Sequence, residues 1–155
     1  MRRIIPLLVL LVLSGCATVQ QPAFQPATTS RALVNWKHGG ESLTADVVFQ
    51  KGSDGAIRIL VSKEALLFTL TRSDGIWVAA GPLAHGGWRG RASAAPAVLR
   101  DWICFAEAVE QASAMPKGGM AQTDQYSLQF TKRNGAIKEL GVGVLATRDR
   151  FRAIF

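Results

Sequence analysis

Short runs of alternating apolar and polar residues, separated by glycine-containing turns, constrain the fold of this chain more than any other feature. The first clear run places apolar side chains at every second position, at Leu43, Ala45, Val47 and Phe49. Period two is the spacing of a strand that buries one face. Asp-Gly or Asn-Gly pairs follow such runs at residues 52–55, 73–75 and 133–135, and these pairs favour tight hairpins because glycine readily adopts positive φ. The pattern predicts an antiparallel meander.

One segment departs from this period. Its apolar residues recur at helical spacing, at Val98, Leu99, Trp102, Ile103, Phe105, Ala106 and Val109. An apolar face of this width predicts a mostly buried helix, and the Pro-Lys-Gly-Gly sequence after Met115 ends it. A sheet of this size twists and curls. We therefore predict an α+β fold, mainly antiparallel β, in which a curved half-open barrel of about seven or eight strands wraps around one long helix.

The beginning of the chain predicts export and a lipid anchor. Two arginines follow Met1, residues 4–12 are mostly apolar, and Leu13-Ser14-Gly15-Cys16 follows. This order is typical of a secretory signal, and the tetrapeptide has the pattern of a bacterial lipobox, in which Cys16 becomes the lipidated first residue. An uncleaved membrane helix is the alternative, but about ten apolar residues are too few for a bilayer that needs about 20.

Three segments follow from this interpretation. Residues 1–15 are the signal peptide, residues 16–30 are the lipidated cysteine with a flexible tether rich in Gln, Pro, Thr and Ala, and residues 31–155 form one folded domain. Ala17, and not Asp, follows Cys16. By the sorting rule of enteric lipoproteins this predicts the periplasmic face of the outer membrane. We expect a monomer that contacts membrane lipid through Cys16.

Composition argues against several classes of function. The formal net charge is +7, with two of the positive charges in the signal, and the export signal argues against a nucleic-acid partner. Once Cys16 is lipidated, Cys104 has no partner for a disulfide, and its apolar neighbours predict a buried, inert thiol.

No cofactor, metal site or enzymatic activity is expected. His38 and His85 have no cysteine at metal-ligand spacing. Neither a Gly-x-Ser-x-Gly elbow nor a phosphate-binding Gly-x-x-x-x-Gly-Lys motif occurs. Glu107 and Glu110 are three residues apart, and we interpret them as a solvated helix face.

The glycine-rich segment 85–91 has two interpretations. Trp88, Arg89 and Arg91 could contact a lipid phosphate or a partner protein. Alternatively, Trp88 fills space at the end of the barrel, which we favour because aromatic side chains more often pack than bind.

The order of tether, long meander, helix and final three-stranded return resembles the LolA/LolB family of lipoprotein carriers and receptors. The best local fit is residues 56–81. The resemblance implies an incomplete barrel that holds the acyl chains of a passenger lipoprotein. The receptor's membrane-probing loop is replaced here by Ser62-Lys63-Glu64-Ala65 followed by Leu66-Leu67. Leu67 is a candidate contact to the membrane or to a partner protein, together with Trp88, Arg89 and Arg91.

An excess of apolar positions supports a hydrophobic cavity. Six residues are expected on strand faces opposite the main core: Leu60, Leu67, Trp77, Leu140, Val142 and Val144. The candidate lining residues are Phe49, Ile59, Leu66, Phe68, Leu70, Trp102, Phe105, Leu128 and Phe130. Ordinary core packing is the alternative for each of them.

Two functions remain open. The first is an outer-membrane-anchored periplasmic lipoprotein that binds acyl chains of a lipid or lipoprotein and takes part in lipid or lipoprotein transport or insertion. The alternative is a non-enzymatic structural or assembly accessory that docks on a protein complex of the envelope.

Overall fold

Ten antiparallel strands form one sheet in the computed structural model, which describes residues 23–155. The predictions for the signal peptide, for Cys16 and for the first part of the tether lie outside the described residues. The strands are β1 (Pro26–His38), β2 (Glu41–Gly52), β3 (Ile57–Lys63), β4 (Ala65–Ser73), β5 (Ile76–Ala80), β6 (Trp88–Gly90), β7 (Gly119–Gln122), β8 (Tyr126–Arg133), β9 (Ala136–Val144) and β10 (Arg150–Ile154). One α-helix, α1 (Ala97–Ala114), lies between β6 and β7, and two short 3₁₀ turns, Pro82–Ala84 and Ala92–Ala94, precede it.

The strand order shows how the chain builds this sheet in two halves. The order is β6-β5-β4-β3-β2-β1-β10-β9-β8-β7. The first half therefore runs outward from β1 to β6, and the helix then carries the chain to the opposite edge. The second half returns from β7 to β10, which pairs with β1 from Leu33↔Ile154 to Lys37↔Arg150.

The predicted α+β fold with a mainly antiparallel sheet is confirmed. Within residues 23–155, β6 and β7 are the two unpaired edges, so the sheet does not close. The predicted strand count of seven or eight is wrong. The short edge strands β6 and β7 raise the number of strands to ten. Neither has an alternating pattern of its own, and each forms by pairing with a neighbouring strand, as in Val78↔Arg89 and Ala121↔Leu128.

The helix packs its apolar face against the sheet. Trp102 is fully buried at the centre of this contact. Its ring meets those of Phe68, Phe105 and Phe151 edge-on, with centroids 5.0–5.7 Å apart. Cys104 is 1% exposed and burial raises the pKa of its thiol to about 12, so the predicted buried thiol is confirmed.

The expected surplus of apolar residues on the opposite face is largely wrong. Trp77, Leu140, Val142 and Val144 are all buried in the main core. The register explains the β9 residues, because Leu140 pairs with Phe130 and Val142 pairs with Leu128, so these side chains share one face. Leu60 and Leu67 are half-buried.

The predicted solvated face of α1 is also wrong. Glu110 forms ion pairs with Arg72 Nη2 at 3.0 Å and with Lys51 Nζ at 3.2 Å, and these pairs connect the helix to β4 and β2. Glu107 is half-buried, and desolvation raises the pKa of its carboxyl group.

The sheet begins earlier than the predicted tether boundary at residue 30. Pro26 already pairs with Gly52, and Thr29 pairs with Gln50. Within the part of the chain that the structure describes, no helix has both the length and the apolar character needed to cross a bilayer.

Candidate functional site

Most of the residues predicted to line a cavity lie in the core. Eight of the nine are no more than 6% exposed and pack in one hydrophobic cluster: Phe49, Ile59, Phe68, Leu70, Trp102, Phe105, Leu128 and Phe130. Leu66 lies elsewhere, at the β3–β4 hairpin, and is 47% exposed. A ligand site that involves these residues would therefore lie at the edge of the hydrophobic cluster.

A groove of 790 Å³ lies at that edge, where α1 ends. It is formed by the beginning of β1, the end of β2, the last turn of α1 and the β8–β9 turn. Its apolar lining consists of Phe49, Ala114, Ala136, Ile137 and Phe155. The backbone N–H of Phe155 donates to the Lys138 carbonyl at 3.0 Å, which fixes Phe155 beside β9.

The charged residues of this groove are mostly basic. Arg31, Lys51, Arg133 and Lys138 line it, and Glu110 is its one acidic lining residue. Glu110 is already paired with Lys51 and Arg72. Among the described residues, Arg31, Arg133 and Lys138 form no ion pair within 4.0 Å, so the groove combines an apolar surface with uncompensated positive charge.

The β3–β4 hairpin exposes a leucine, but not the one that was predicted. Glu64 takes a left-handed conformation with φ of 61° at the tip, and Leu66, two residues later, is the exposed leucine. Leu67 is half-buried and packs against the core. Its backbone lies against Gly81, where a Cβ atom would come within 2.8 Å of the Leu67 carbonyl oxygen.

Of the three candidate contact residues in the segment 85–91, one packs against the core and two are exposed. Trp88, in β6, is half-buried, packs against the core and pairs with Ala79 of β5. Arg89 and Arg91 are exposed. The position of Trp88 is compatible with a packing role, while the two arginines remain candidate contacts.

A polar cluster that the sequence analysis did not find lies at the other end of β1. His38 ends β1, Asp101 lies in α1 and Asp149 precedes β10. His38 Nδ1 is 2.5 Å from Asp149 Oδ2 and 3.9 Å from Asp101 Oδ2. Asp101 is fully buried and Asp149 is 4% exposed. The only sequence signal was an acidic residue within the apolar face of the helix, and nothing in the sequence connects it to two residues far away in the chain.

The two carboxyl groups of this cluster have opposite pKa shifts. Burial, reinforced by Asp149, raises the pKa of Asp101 to about 7. Burial also acts to raise the pKa of Asp149, but hydrogen bonds with Asp101 and His38 outweigh it and lower that pKa below its usual value. The hydrogen bond with Asp149 raises the pKa of His38. The pair therefore favours one negative charge on Asp149.

None of the protein-family models compared with this chain matches it, and none of the curated proteins compared is significantly similar.

Proposed function

We propose that this chain is an outer-membrane-anchored periplasmic lipoprotein that binds acyl chains of a lipid or lipoprotein and takes part in their transport or insertion. The curved half-open barrel of the LolA/LolB resemblance is part of this proposal. The single observation that carries it is the groove at the end of α1.

The groove has the size and chemistry for an acyl chain with an anionic head group. Its 790 Å³ falls within the roughly 300–1,000 Å³ of small-molecule sites. Each methylene group removed from water contributes about 0.8 kcal/mol, and the apolar lining supplies the surface for it. Arg31, Arg133 and Lys138 are placed to neutralise a phosphate or carboxylate.

The path of the chain supports an orientation in which the groove lies near the membrane. Thr28 and Thr29, near the start of β1, line the groove, so the predicted anchor reaches the domain from this end. A fully extended chain from residue 16 to residue 26 spans about 35 Å at most. The groove would therefore stay near the membrane, where basic residues attract anionic head groups.

The proposed mechanism is passive. Acyl chains enter the groove because their burial is favourable, and they leave when an acceptor with a larger apolar surface is offered. This mechanism requires no catalytic group, so the proposed function involves no enzymatic activity.

Ala136→Glu tests this function at the groove. Ala136 is exposed at the start of β9 and lines the groove, so a carboxylate there places charge in the acyl path without disturbing the core. We expect native mass spectrometry of the wild-type chain to show bound lipid. We expect the variant to bind a fluorescent fatty acid at least tenfold more weakly.

Ala97→Glu is the matched control, because Ala97 is an exposed alanine in the first turn of α1, outside the groove. It should bind the fatty acid as the wild type does. A wild-type chain that carries no lipid and takes up no fatty acid would contradict the proposal.

The alternative is a structural or assembly accessory, and the β7 edge favours it. Met120 is 75% exposed on this short strand, and unpaired edges can accept a further strand from another protein. Crosslinking in intact envelopes distinguishes the two functions: a stoichiometric protein partner captured through residue 120, with no bound lipid, would support the accessory.

A further inference from the structure

The cluster of His38, Asp101 and Asp149 joins three separate elements at one point. One ligand atom from each residue lies within 4.8 Å of the other two. The cluster lies at the end of β1 away from the groove, so it is independent of the proposed acyl site. All three side chains offer atoms that bind divalent cations, namely an imidazole nitrogen and two carboxylate oxygens.

Asp101 supplies a second observation, because its buried carboxyl group requires a compensating positive charge. Its Oδ1 accepts a hydrogen bond from Thr147 Oγ1 at 3.0 Å, but its Oδ2 is buried and accepts no hydrogen bond from any donor among the described residues. That unpartnered oxygen is the atom that faces His38 Nδ1. A buried carboxylate oxygen is strongly destabilising unless a proton or a cation compensates it.

We propose that His38, Asp101 and Asp149 bind one divalent transition-metal ion, of the class represented by Zn²⁺ and Mn²⁺. Ligand bonds of about 2.0 Å in tetrahedral geometry place neighbouring ligand atoms about 3.3 Å apart. The separations from His38 Nδ1, 2.5 Å and 3.9 Å, lie on either side of that value. A small movement of the imidazole, with release to solvent of the proton shared by His38 Nδ1 and Asp149 Oδ2, therefore converts the cluster into a set of three ligands.

The surroundings permit this movement and give the ion access. The His38 side chain is 43% exposed, so it can shift without disturbing the core, and solvent reaches the cluster beside it. The ring of Trp36 stacks on His38 with centroids 4.9 Å apart, which orients the imidazole. Thr147 holds Asp101, and such supporting contacts fix the direction of a ligand. Three protein ligands leave a coordination position for water.

Calorimetric titration with Zn²⁺ and with Mn²⁺ tests the site. The full chain is purified without a histidine tag and is treated with a chelator before the titration. Every sample carries Cys16→Ser, so that the thiol of Cys16 cannot bind zinc. We expect one equivalent of metal to bind. His38→Gln and Asp101→Asn should each weaken the binding at least tenfold, the range seen when ligand support is lost.

Two control variants distinguish this site from metal bound elsewhere. His85→Gln removes an exposed histidine, and Glu139→Gln removes a carboxylate from the surface pair with Arg152; neither should change the affinity. Circular dichroism checks that each variant folds, and His38→Gln carries the test if Asp101→Asn does not fold.

The absence of saturable one-to-one binding by the wild type would overturn the proposal, since a proton shared by the two aspartates would then be the occupant. Equal affinity in His38→Gln would also overturn it. Fatty-acid uptake is unaffected by either result, so the metal site and the proposed lipid function succeed or fail separately.

Discussion

Trp102 shows how one side chain can organise the interior of a small domain. It is fully buried, and its ring contacts aromatic rings of β1, β4, α1 and β10. Aromatic pairs of this kind stabilise the fold by about 0.5–1.5 kcal/mol beyond the burial of their area. Its helical spacing predicted a buried position, but three of the four partners, Trp36, Phe68 and Phe151, come from distant segments and could not be predicted from the sequence.

Trp102→Ala is expected to lower the free energy of unfolding by about 3–5 kcal/mol, because the cavity would lie among four aromatic rings. Trp88→Ala is the matched comparison, since Trp88 is half-buried at the sheet edge. It should cost clearly less. Urea denaturation followed by circular dichroism measures both, and equal losses would contradict the central role of Trp102.

At the scale of elements, local pattern and long-range pairing contributed differently. The alternating runs and the Asp-Gly turns correctly predicted the meander, and the helical period correctly predicted α1. The edge strands β6 and β7 escaped prediction because their pairing partners specify them. The cluster of His38, Asp101 and Asp149 escaped for the same reason, since a β-hairpin, a helix and a loop bring its members together.

Gly81, between β5 and the 3₁₀ turn Pro82–Ala84, provides a local test of how closely this connection packs against β4. It has a φ of 116°, and a Cβ atom there would lie 2.7 Å from Phe68 Cα. Gly81→Ala therefore combines backbone strain with a clash against backbone, and we expect a loss of about 2 kcal/mol or more in the free energy of unfolding.

Gly86→Ala provides the control for that measurement. Gly86 also has a positive φ, 93°, but nothing lies within 4 Å of its Cβ position. It should show the strain alone, about 1 kcal/mol. Equal effects of the two substitutions in thermal or urea unfolding would show that the close contact with Phe68 is unimportant.

At the scale of the whole molecule, the groove and the polar cluster lie toward opposite ends of β1. The groove shares its end with the segment that leads to the predicted anchor, as Thr28 and Thr29 show. In the proposed orientation, the groove faces the lipid and the polar cluster faces the aqueous compartment. Lipid handling and cation binding would then be separated within one small domain.

Cys16→Ser tests the anchor on which this orientation depends. The substitution removes the only thiol that a lipobox could modify, and we expect the protein to move from the membrane fraction to the soluble fraction of the envelope. Cys104→Ser is the control and should stay with the membrane, because Cys104 is buried in α1. Membrane association that survives Cys16→Ser would contradict lipid anchoring.

The pairing of β1 with β10 has a consequence for the order in which the domain folds. The first and last strands of residues 23–155, β1 and β10, are neighbours in the middle of the sheet, where Leu33 pairs with Ile154. Contacts between residues this far apart in sequence form slowly, because a long loop must close first. Until the final strand is synthesised, β1 is an open edge in the centre of the future sheet. The first half would therefore keep its central edge exposed until β10 has been synthesised.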